Sequence, residues 1–253
     1  MYKIIPNTLF IPKEVVWLSS CHSTNAYALE QLSSTDVLEG TVVATHDQKA
    51  GKGQMGNNWE AEAGKNLTFS VILKPTWLAV EQQFYLSMAV ALALQTTLSE
   101  YLKKEIVTIK WPNDIYVGNY KICGVLIQNN ILGKNLKHSV VGIGLNINQK
   151  LFKNLRATSL SKIIGNDFQL DDVLSVVLKN LEIEYRKLLD KNFDSIKMEY
   201  EANLYRKNIP SEFIIDGNKV LATILGVSDV GLLKLNVNKT IAFFDLKQIQ
   251  YVF

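Results

Sequence analysis

The segment IVTIKWPNDIYVGNYKICGVLIQ, residues 106–128, contains three apolar runs separated by turn residues. The runs are rich in β-branched and aromatic residues and predict strands at Ile106–Lys110, Asp114–Val117 and Lys121–Gln128. Pro112 and the pair Gly118–Asn119 are turn residues that separate them. The segment therefore predicts consecutive strands of a sheet.

On either side of this segment, the chain alternates between strand-like and helix-like stretches. Further strands are predicted at Val15–Ser19, Thr41–Thr45, Asn66–Leu73 and Ser139–Asn148. Helices are predicted at Ser23–Leu32, where Ser23 is the N-cap candidate, and at Glu81–Lys103, whose alanines and leucines suit packing on a sheet. Gln48–Lys65 shows no hydrophobic period and predicts a long loop.

The last third of the chain has a different character. Two charged amphipathic helices are predicted at Asp171–Asp190 and Phe193–Asn208. After Pro210, short strands are predicted at Glu212–Ile215, Lys219–Val227, Gly231–Asn236, Thr240–Phe244 and Lys247–Val252. We therefore predict an α+β fold with a first domain at residues 1–209 and a small β-barrel at 210–253.

Composition excludes several classes of protein. The 253 residues are 47% apolar and carry a net charge of +3 with a pI near 8.6, which is too mild for a dedicated nucleic-acid binder. The two cysteines, Cys21 and Cys123, form no CxxC pair, so a zinc site or a disulfide framework is not expected. No leader peptide or membrane-spanning run is evident, and we expect a cytoplasmic protein without a membrane partner.

The segment KAGKGQMGNNW, Lys49–Trp59, is suited to binding an anion. Its glycines let the backbone approach a ligand closely, and Lys49 and Lys52 add positive charge. It is neither a P-loop nor a dinucleotide fingerprint, because the glycine spacing differs and no G-K-[ST] follows. Taken alone, the segment is equally consistent with a surface connection.

Three further segments contain candidate ligand-binding side chains. In KWPND, residues 110–114, Asn113 and Asp114 begin a strand and could reach a ligand or a metal, although Pro-Asn-Asp also suits a plain turn. Lys121 opens an otherwise apolar strand, where a lysine usually faces water. In GIGLNIN, residues 142–148, Asn146 and Asn148 fall on one face of the predicted strand, where they could bind a polar ligand, and a capped strand end is the alternative.

Together and in this order, the segments resemble the biotin–protein ligases. The matching motifs are CHSTN at 21–25, Gln48, the glycine-rich loop to Trp59, KWPND at 110–114, KICGVL at 121–126 and GIGLNIN at 142–148. The resemblance implies a class II synthetase-like catalytic domain, with a mixed sheet and packed helices, followed by an SH3-like β-barrel. It also implies a short form without an N-terminal DNA-binding domain, since the STN motif begins at residue 23.

The resemblance implies a two-step reaction with ATP and biotin as substrates and Mg²⁺ as the accompanying ion. The biotin carboxylate attacks the α-phosphorus of ATP to give biotinyl-5′-AMP and pyrophosphate. A lysine of a biotin carboxyl carrier protein, part of a biotin-dependent carboxylase, then attacks the mixed anhydride and releases AMP. The family includes monomers and dimers, so both states stay open, and no DNA partner is expected.

The resemblance also implies roles for individual residues. The implied biotin-binding residues are Ser23, Thr24, Asn25, Gln48, Lys52, Gly53, Gln54, Lys121 and Gly124. The implied ATP- or adenylate-binding residues are Gly51, Gly56, Trp59, Asn113, Lys121 and Asn146. The implied catalytic residues are Lys121, Lys52 and Asp114, with Asp114 as proton acceptor and as a candidate partner for Mg²⁺ that is held mainly by ATP phosphates.

Two rival interpretations are weighed against this one. Lipoate or octanoate ligases share the catalytic fold but usually show an RRxGGG-like segment, which this chain lacks. A biotin sensor without catalysis could dispense with Lys121, which is present. Within the loop, the family often reads GRGRxG, whereas this chain has Lys52 and Gln54, so one positive charge is kept and one is lost.

Overall fold

The computed structural model describes residues 8–253. The strands are β1 Glu14–Leu18, β2 Thr41–Thr45, β3 Leu67–Leu73, β4 Val107–Lys110, β5 Asp114–Val117, β6 Tyr120–Leu132, β7 Asn135–Leu145, β8 Pro210–Ile215, β9 Asn218–Val227, β10 Leu233–Val237, β11 Thr240–Phe244 and β12 Ile249–Tyr251. The helices are α1 Thr24–Ser34, α2 Gln83–Tyr101, α3 Leu160–Ile164, α4 Leu170–Leu189 and α5 Phe193–Ala202. Short 3₁₀ turns occupy Gln54–Gly56 and Val80–Gln82.

The larger sheet has seven strands in the order β1-β2-β3-β7-β6-β5-β4. Within residues 8–253, β1 pairs with β2 in parallel, and the other neighbouring strands pair antiparallel. The predicted mixed sheet is therefore confirmed. Strand β3, in the interior of this sheet, is buried over its whole length, including the polar side chains of Thr68 and Ser70.

Helix α2 lies in the core, between the sheet and α4. Side chains around its whole circumference are buried, among them Leu86, Met88, Leu94 and Leu98 at 0% exposure, so its sequence is apolar on all faces. Helix α4 is amphipathic instead, because one face packs on α2 and the other meets water. No helix in the described part of the chain is long and apolar enough to cross a membrane.

The C-terminal strands form a second, antiparallel sheet in the order β11-β10-β9-β8-β12, as expected for an SH3-like unit. This sheet begins at Pro210, next to the predicted domain boundary, which stays a prediction. It contacts the first part of the chain: the indole N–H of Trp111 donates to the carbonyl of Gly231 at 2.9 Å, and Glu201 Oε1 accepts from the N–H of Val227 at 3.0 Å.

Some local predictions were wrong. Strands β6 and β7 form a longer hairpin than expected, and β7 ends at Leu145, so Asn146 and Asn148 do not share a strand face. Their amides instead donate to the carbonyls of Thr158 and Phe168, at 3.0 and 2.8 Å, which fixes the chain after the strand. Helix α5 ends at Ala202 rather than at Asn208, and α3 was not predicted. Residues 1–7 of the predicted first domain lie outside the described residues.

Candidate active site

A cavity of about 230 Å³ opens over the face of β6 and β7, beside the glycine-rich loop. It is lined by Ser23, Thr24, Asn25, Gln48, Lys52, Gly53, Gln54, Asn57, Asn58, Trp59, Thr68, Lys110, Pro112, Asn113, Asp114, Lys121, Gly124, Val125, Leu126, Gly142, Ile143, Gly144 and Leu246. The lining comes from the start of α1, the loop, the strand face, the KWPND turn and the segment before β12. Five parts of the chain, several of them far apart in sequence, thus meet at one cavity.

One end of the cavity is polar and uncharged. Thr24 and Asn25 begin α1, where Ser23 caps the helix by accepting from the N–H of Ala26 at 3.5 Å, as predicted. Gln48 Oε1 accepts from the backbone N–H of Thr24 at 2.9 Å, so its carboxamide orientation is set by α1. These hydroxyl and amide groups can both donate and accept hydrogen bonds, which suits a neutral polar ligand.

Asn25 is held in place from three sides. Its Nδ2 donates to the carbonyl of Leu126 at 3.1 Å and to Gln128 Oε1 at 2.9 Å, while its Oδ1 lies 2.6 Å from Ser70 Oγ. A Cβ atom at Gly142 would fall 2.2 Å from Asn25 Oδ1, so this strand position has no room for a side chain. The head-group end of the cavity is therefore preorganised by β3, β6 and β7.

The other end of the cavity is cationic. Lys121 Nζ lies 2.7 Å from Asp114 Oδ1, with about a quarter of each side chain exposed, 26% and 22%. The backbone of Lys121 is fixed as well, since its N–H donates to the carbonyl of Arg156 at 2.8 Å and its carbonyl accepts from Thr158 at 2.9 Å. The KWPND turn and the lysine of β6 are thus in direct contact, a pairing that was not predicted.

The glycine-rich loop folds back on itself like a short hairpin. Trp59 N–H donates to the carbonyl of Gly51 at 2.9 Å, and Gly53 N–H donates to the carbonyl of Asn57 at 2.6 Å. In this conformation, at least these two amides serve the loop itself rather than an anion. The expected nest of loop amides therefore requires a rearrangement that frees them, and it stays a prediction.

The loop places Trp59 flat against glycines of the sheet. A Cβ atom at Gly144 would lie 2.2 Å from Trp59 Cε2, and one at Gly124 would lie 2.9 Å from its Cζ3 and 3.1 Å from Lys121 Nζ. Gly124 and Gly144 are direct partners in the β6–β7 pairing, so together they form a bare patch of strand surface. Because the patch carries no side chains, the indole ring of Trp59 can lie close to the strand backbone.

Most of the residues that the sequence singled out line the cavity. These are Ser23, Thr24, Asn25, Gln48, Lys52, Gly53, Gln54, Trp59, Asn113, Asp114, Lys121 and Gly124. Gly51, Gly56 and Asn146 are not among the lining residues. Gly51 supports Trp59, and Gly56 has φ +78° at the end of the 3₁₀ turn. Asn146 is buried at 2% exposure and contacts Thr158, so its contact with an adenylate stays a prediction.

Several lining residues were missed by sequence reasoning. Lys110, Gly142 and Gly144 were quoted only as parts of the KWPND and GIGLNIN motifs, with no role of their own. Ser70, which is not a lining residue but contacts Asn25, lay unremarked in a predicted strand. Leu246 comes from the C-terminal segment, more than a hundred residues away in the chain. A strand period shows which residues share a face but not which strands are neighbours, so these partners had no signal in one sequence.

The described residues do not build a metal cage. No group of three or more His, Cys, Asp or Glu side chains converges within residues 8–253. Asp114 is the one carboxylate among the described residues that line the cavity, and its Oδ1 is engaged by Lys121. The donor set fits a Mg²⁺ ion that arrives bound to phosphates and takes at most one protein ligand.

Comparison with known proteins agrees with this geometry. The Biotin/lipoate A/B protein ligase family matches residues 17–146. The structure of the biotin protein ligase from Aquifex aeolicus, in complex with biotin and ATP, aligns with a TM-score of 0.78 and 27% identity over 95% of this chain and 100% of that one.

Curated relatives match over long stretches. The bifunctional ligase/repressor BirA of Bacillus subtilis is 27% identical over 232 residues, which are 87% of this chain and 68% of the relative. The biotin–[acetyl-CoA-carboxylase] ligase of Paracoccus denitrificans is 34% identical over 134 residues, or 51% of this chain and 53% of the relative. The chain belongs to the Biotin/lipoate A/B protein ligase family and has the biotin protein ligase fold.

Proposed function

We propose that this ligase activates biotin with ATP as biotinyl-5′-AMP and transfers the biotinyl group to a lysine of a biotin carboxyl carrier protein. The observation that carries the proposal is the division of one cavity into a neutral polar end at Thr24, Asn25 and Gln48 and a cationic end at Lys121. Biotin has the same division, since a neutral ureido ring lies at one end of the molecule and a carboxylate at the other.

The polar end suits the ureido ring. A ureido group donates through two N–H groups and accepts through one carbonyl, so its partners must include both kinds of hydrogen-bonding group. Thr24 and Asn25 are buried at 3% and 5% exposure, and their side chains are already oriented by Gln48 and Ser70. A ligand that forms hydrogen bonds with these groups can replace water without rearranging the protein, and this preorganisation favours binding.

The cationic end suits the first chemical step. A carboxylate must approach an anionic phosphate, and positive charge that is already in place lowers that repulsion in the transition state. Lys121 is fixed by its backbone bonds and by Asp114, while Lys52 enters from the loop. We propose that Lys121 binds the reacting carboxylate and the α-phosphate. Lys52 then stabilises the negative charge that grows beside these groups in the transition state.

The second step needs an unprotonated amine, although a free lysine has a pKa of about 10.4. Asp114 is the one carboxylate among the described residues that line the cavity, and it pairs with Lys121 at the cationic end. We assign it to receive the proton of the incoming lysine as the C–N bond forms and AMP leaves. Mg²⁺, carried on the phosphates, would screen their charge, with Asp114 as a candidate ligand.

One assay tests the proposal. The purified protein is incubated with MgATP, biotin and an apo carrier domain, and the intact mass of the carrier is measured. We expect the mass of one biotinyl group to be added, and no addition when the acceptor lysine of the carrier is replaced by arginine. Addition of lipoate without addition of biotin would assign the chain to the rival ligase, and addition of neither would favour the sensor.

The setting of the reaction follows from the same proposal. Within the described residues, Cys21 and Cys123 are both free cysteines, which suits a reducing compartment such as the cytoplasm. We further propose that the chain acts without a DNA partner. A homodimer remains open as a prediction, for which light scattering with and without biotin is the direct measurement.

A further inference from the structure

Lys110 is a cation at the cavity that the roles assigned above do not use. It is the last residue of β4, directly opposite Asp114 in the pairing with β5, and it lines the cavity. Because it lies on a strand rather than on the glycine-rich loop, its position does not depend on loop closure. It is half-buried, and burial lowers the pKa of its ammonium group.

Two tyrosine rings hold Lys110 in place, one from each sheet. Its Nζ lies 4.4 Å from the ring centroid of Tyr251 on β12 and 5.8 Å from that of Tyr116 on β5. Both distances fall within the reach of a cation–π contact, about 6 Å. Burial raises the pKa of Tyr251, so its ring stays neutral. The C-terminal sheet thus supports a lysine of the catalytic cavity.

The charges around Lys110 are not balanced. Three lysines and one aspartate line the cavity, an excess of two positive charges, and the aspartate is paired with Lys121. Across residues 8–253, Lys110 itself forms no ion pair. The carboxylate of Asp114 acts on Lys110 only at longer range and is shared with Lys121, while Lys121 and Arg206 add like charge nearby. An anionic ligand therefore lowers the cost of this half-buried ammonium group.

We propose that Lys110, supported by the ring of Tyr251, binds the pyrophosphate part of ATP and stabilises it as the leaving group. This inference rests on the proposed function. In the first step, the carboxylate oxygen bonds to the α-phosphorus while the bond to the bridging oxygen breaks, and the electron pair departs on pyrophosphate. Lys121 is assigned to the α-phosphate, so a second fixed cation that lines the same cavity is available for the charge that develops on the leaving group.

The test separates the two half-reactions. Lys110→Met keeps the length of the side chain and removes its charge, and a charge-assisted contact of this kind accounts for about 10- to 100-fold in binding or rate. In Lys110→Met, we expect the rate of ATP-dependent adenylate formation to fall by this factor. The KM for pyrophosphate in ATP–pyrophosphate exchange should rise by a similar factor. Transfer from chemically made biotinyl-5′-AMP to the carrier involves no pyrophosphate and should fall far less.

Further variants guard against a purely structural explanation. Lys219→Met, an exposed lysine on β9, is the matched control and should resemble the parent protein in all assays. Lys110→Arg should restore part of the first step because the charge returns, and Tyr251→Leu should raise the KM for pyrophosphate in the same direction as Lys110→Met. Equal losses in both half-reactions, or an unchanged first step in Lys110→Met, would overturn the inference.

A binding measurement keeps this inference separate from the proposed function. Inorganic pyrophosphate is titrated by calorimetry into the parent protein and into Lys110→Met, with biotin absent. We expect about tenfold weaker binding in the variant. If the parent protein binds pyrophosphate through Lys110 but never activates biotin, the proposed function fails while the anion subsite stands. Equal affinities in the two proteins would remove the subsite.

Discussion

At the scale of single residues, the polar end of the cavity depends on Ser70, a side chain at 0% exposure on β3. Its Oγ lies 2.7 Å from Thr24 Oγ1 and 2.6 Å from Asn25 Oδ1. In Ser70→Ala, two buried oxygens of the head-group site lose this partner, at a cost of about 1–3 kcal/mol. We expect the KM for biotin to rise about tenfold with little change in kcat, because the reacting groups lie at the other end.

The chain offers a matched control for that substitution. Ser139 is also a serine at 0% exposure in the same sheet, on β7, but its hydroxyl has no hydrogen-bond partner among the described residues. Ser139→Ala therefore removes a hydroxyl without breaking a contact and should leave the KM for biotin unchanged. If both variants raised it equally, loss of packing rather than of the hydrogen bonds would be the cause.

Lys121 is the residue whose charge the first step needs most. Lys121→Ala removes the cation fixed at 2.7 Å from Asp114 and leaves that carboxylate unpaired. We expect the rate of adenylate formation, measured as pyrophosphate release, to fall about 100-fold or more. Biotin binding should persist at reduced strength, since Thr24 and Gln48 are untouched. Turnover at the parental rate would refute the assigned role.

Two substitutions place that effect in context. Lys137→Ala changes an exposed lysine on β7 and should not slow adenylate formation. Gln54→Gly removes a lining side chain without removing a charge and should cost less than Lys121→Ala. A larger loss in Gln54→Gly would show that its amide contributes more to the reaction than the ammonium group of Lys121.

At the scale of elements, the glycine-rich loop is the part that we expect to respond to ligands. Trypsin can cut at Lys49, Lys52 and Lys65, and cleavage reports how often the loop opens. Biotin together with ATP should slow these cuts several-fold, because the ligands hold Lys52 and Trp59 at the cavity. Cleavage kinetics resolved by mass spectrometry measure this directly.

An internal control comes from the same digest. Lys239 lies exposed in the turn between β10 and β11, at φ +68°, and it does not line the cavity. Its cleavage rate should be the same with and without ligands. Equal protection of Lys239 and the loop would indicate global stabilisation rather than closure of the loop.

The elements also show where sequence reasoning succeeded and where it failed. The bounds of β2, β5 and β11 were predicted to the residue, because short apolar strands lie there between clear turn residues. The β6–β7 hairpin was predicted too short, because its tip, Gln128–Asn135, is largely exposed and lacks a buried face to impose a period. When neither face of a strand packs in the core, its sequence shows no alternation of apolar and polar residues, so the strand is hard to predict.

The same distinction separates the site residues that could be predicted from the sequence from those that could not. Motifs that are contiguous in sequence, such as Ser23–Asn25 and the KWPND turn, could be found because each is read within a few residues. The roles of Ser70, Lys110 and Tyr251 could not be found, since each acts through a partner on another element, even though Lys110 is the first residue of the KWPND motif. Such pairings are set by strand order and by the docking of the second sheet, which a single sequence does not encode locally.

At the scale of the whole molecule, the KWPND turn joins the two sheets. Trp111 is buried at 3% exposure, and its indole N–H donates to the carbonyl of Gly231 at 2.9 Å, while Tyr200 of α5 donates its hydroxyl to the carbonyl of Pro112 at 2.8 Å. Lys110 and Asn113 lie on either side of these anchors and line the cavity. Docking of the C-terminal sheet and positioning of the cationic end are therefore mechanically linked.

Trp111→Phe tests that link, because it keeps an aromatic ring and removes the donor to Gly231. The lost hydrogen bond should reduce the free energy of unfolding by about 1–3 kcal/mol, and each kcal/mol lowers the Tm by about 2–4 °C in a chain of this size. Adenylate formation should slow in the same variant, measured well below its Tm, since Lys110 and Asn113 lose their support. Trp77→Phe, which changes a tryptophan packed on Tyr185 instead, should leave adenylate formation intact. Loss of stability in Trp111→Phe with full activity would show that the C-terminal sheet supports the fold without positioning the reacting groups.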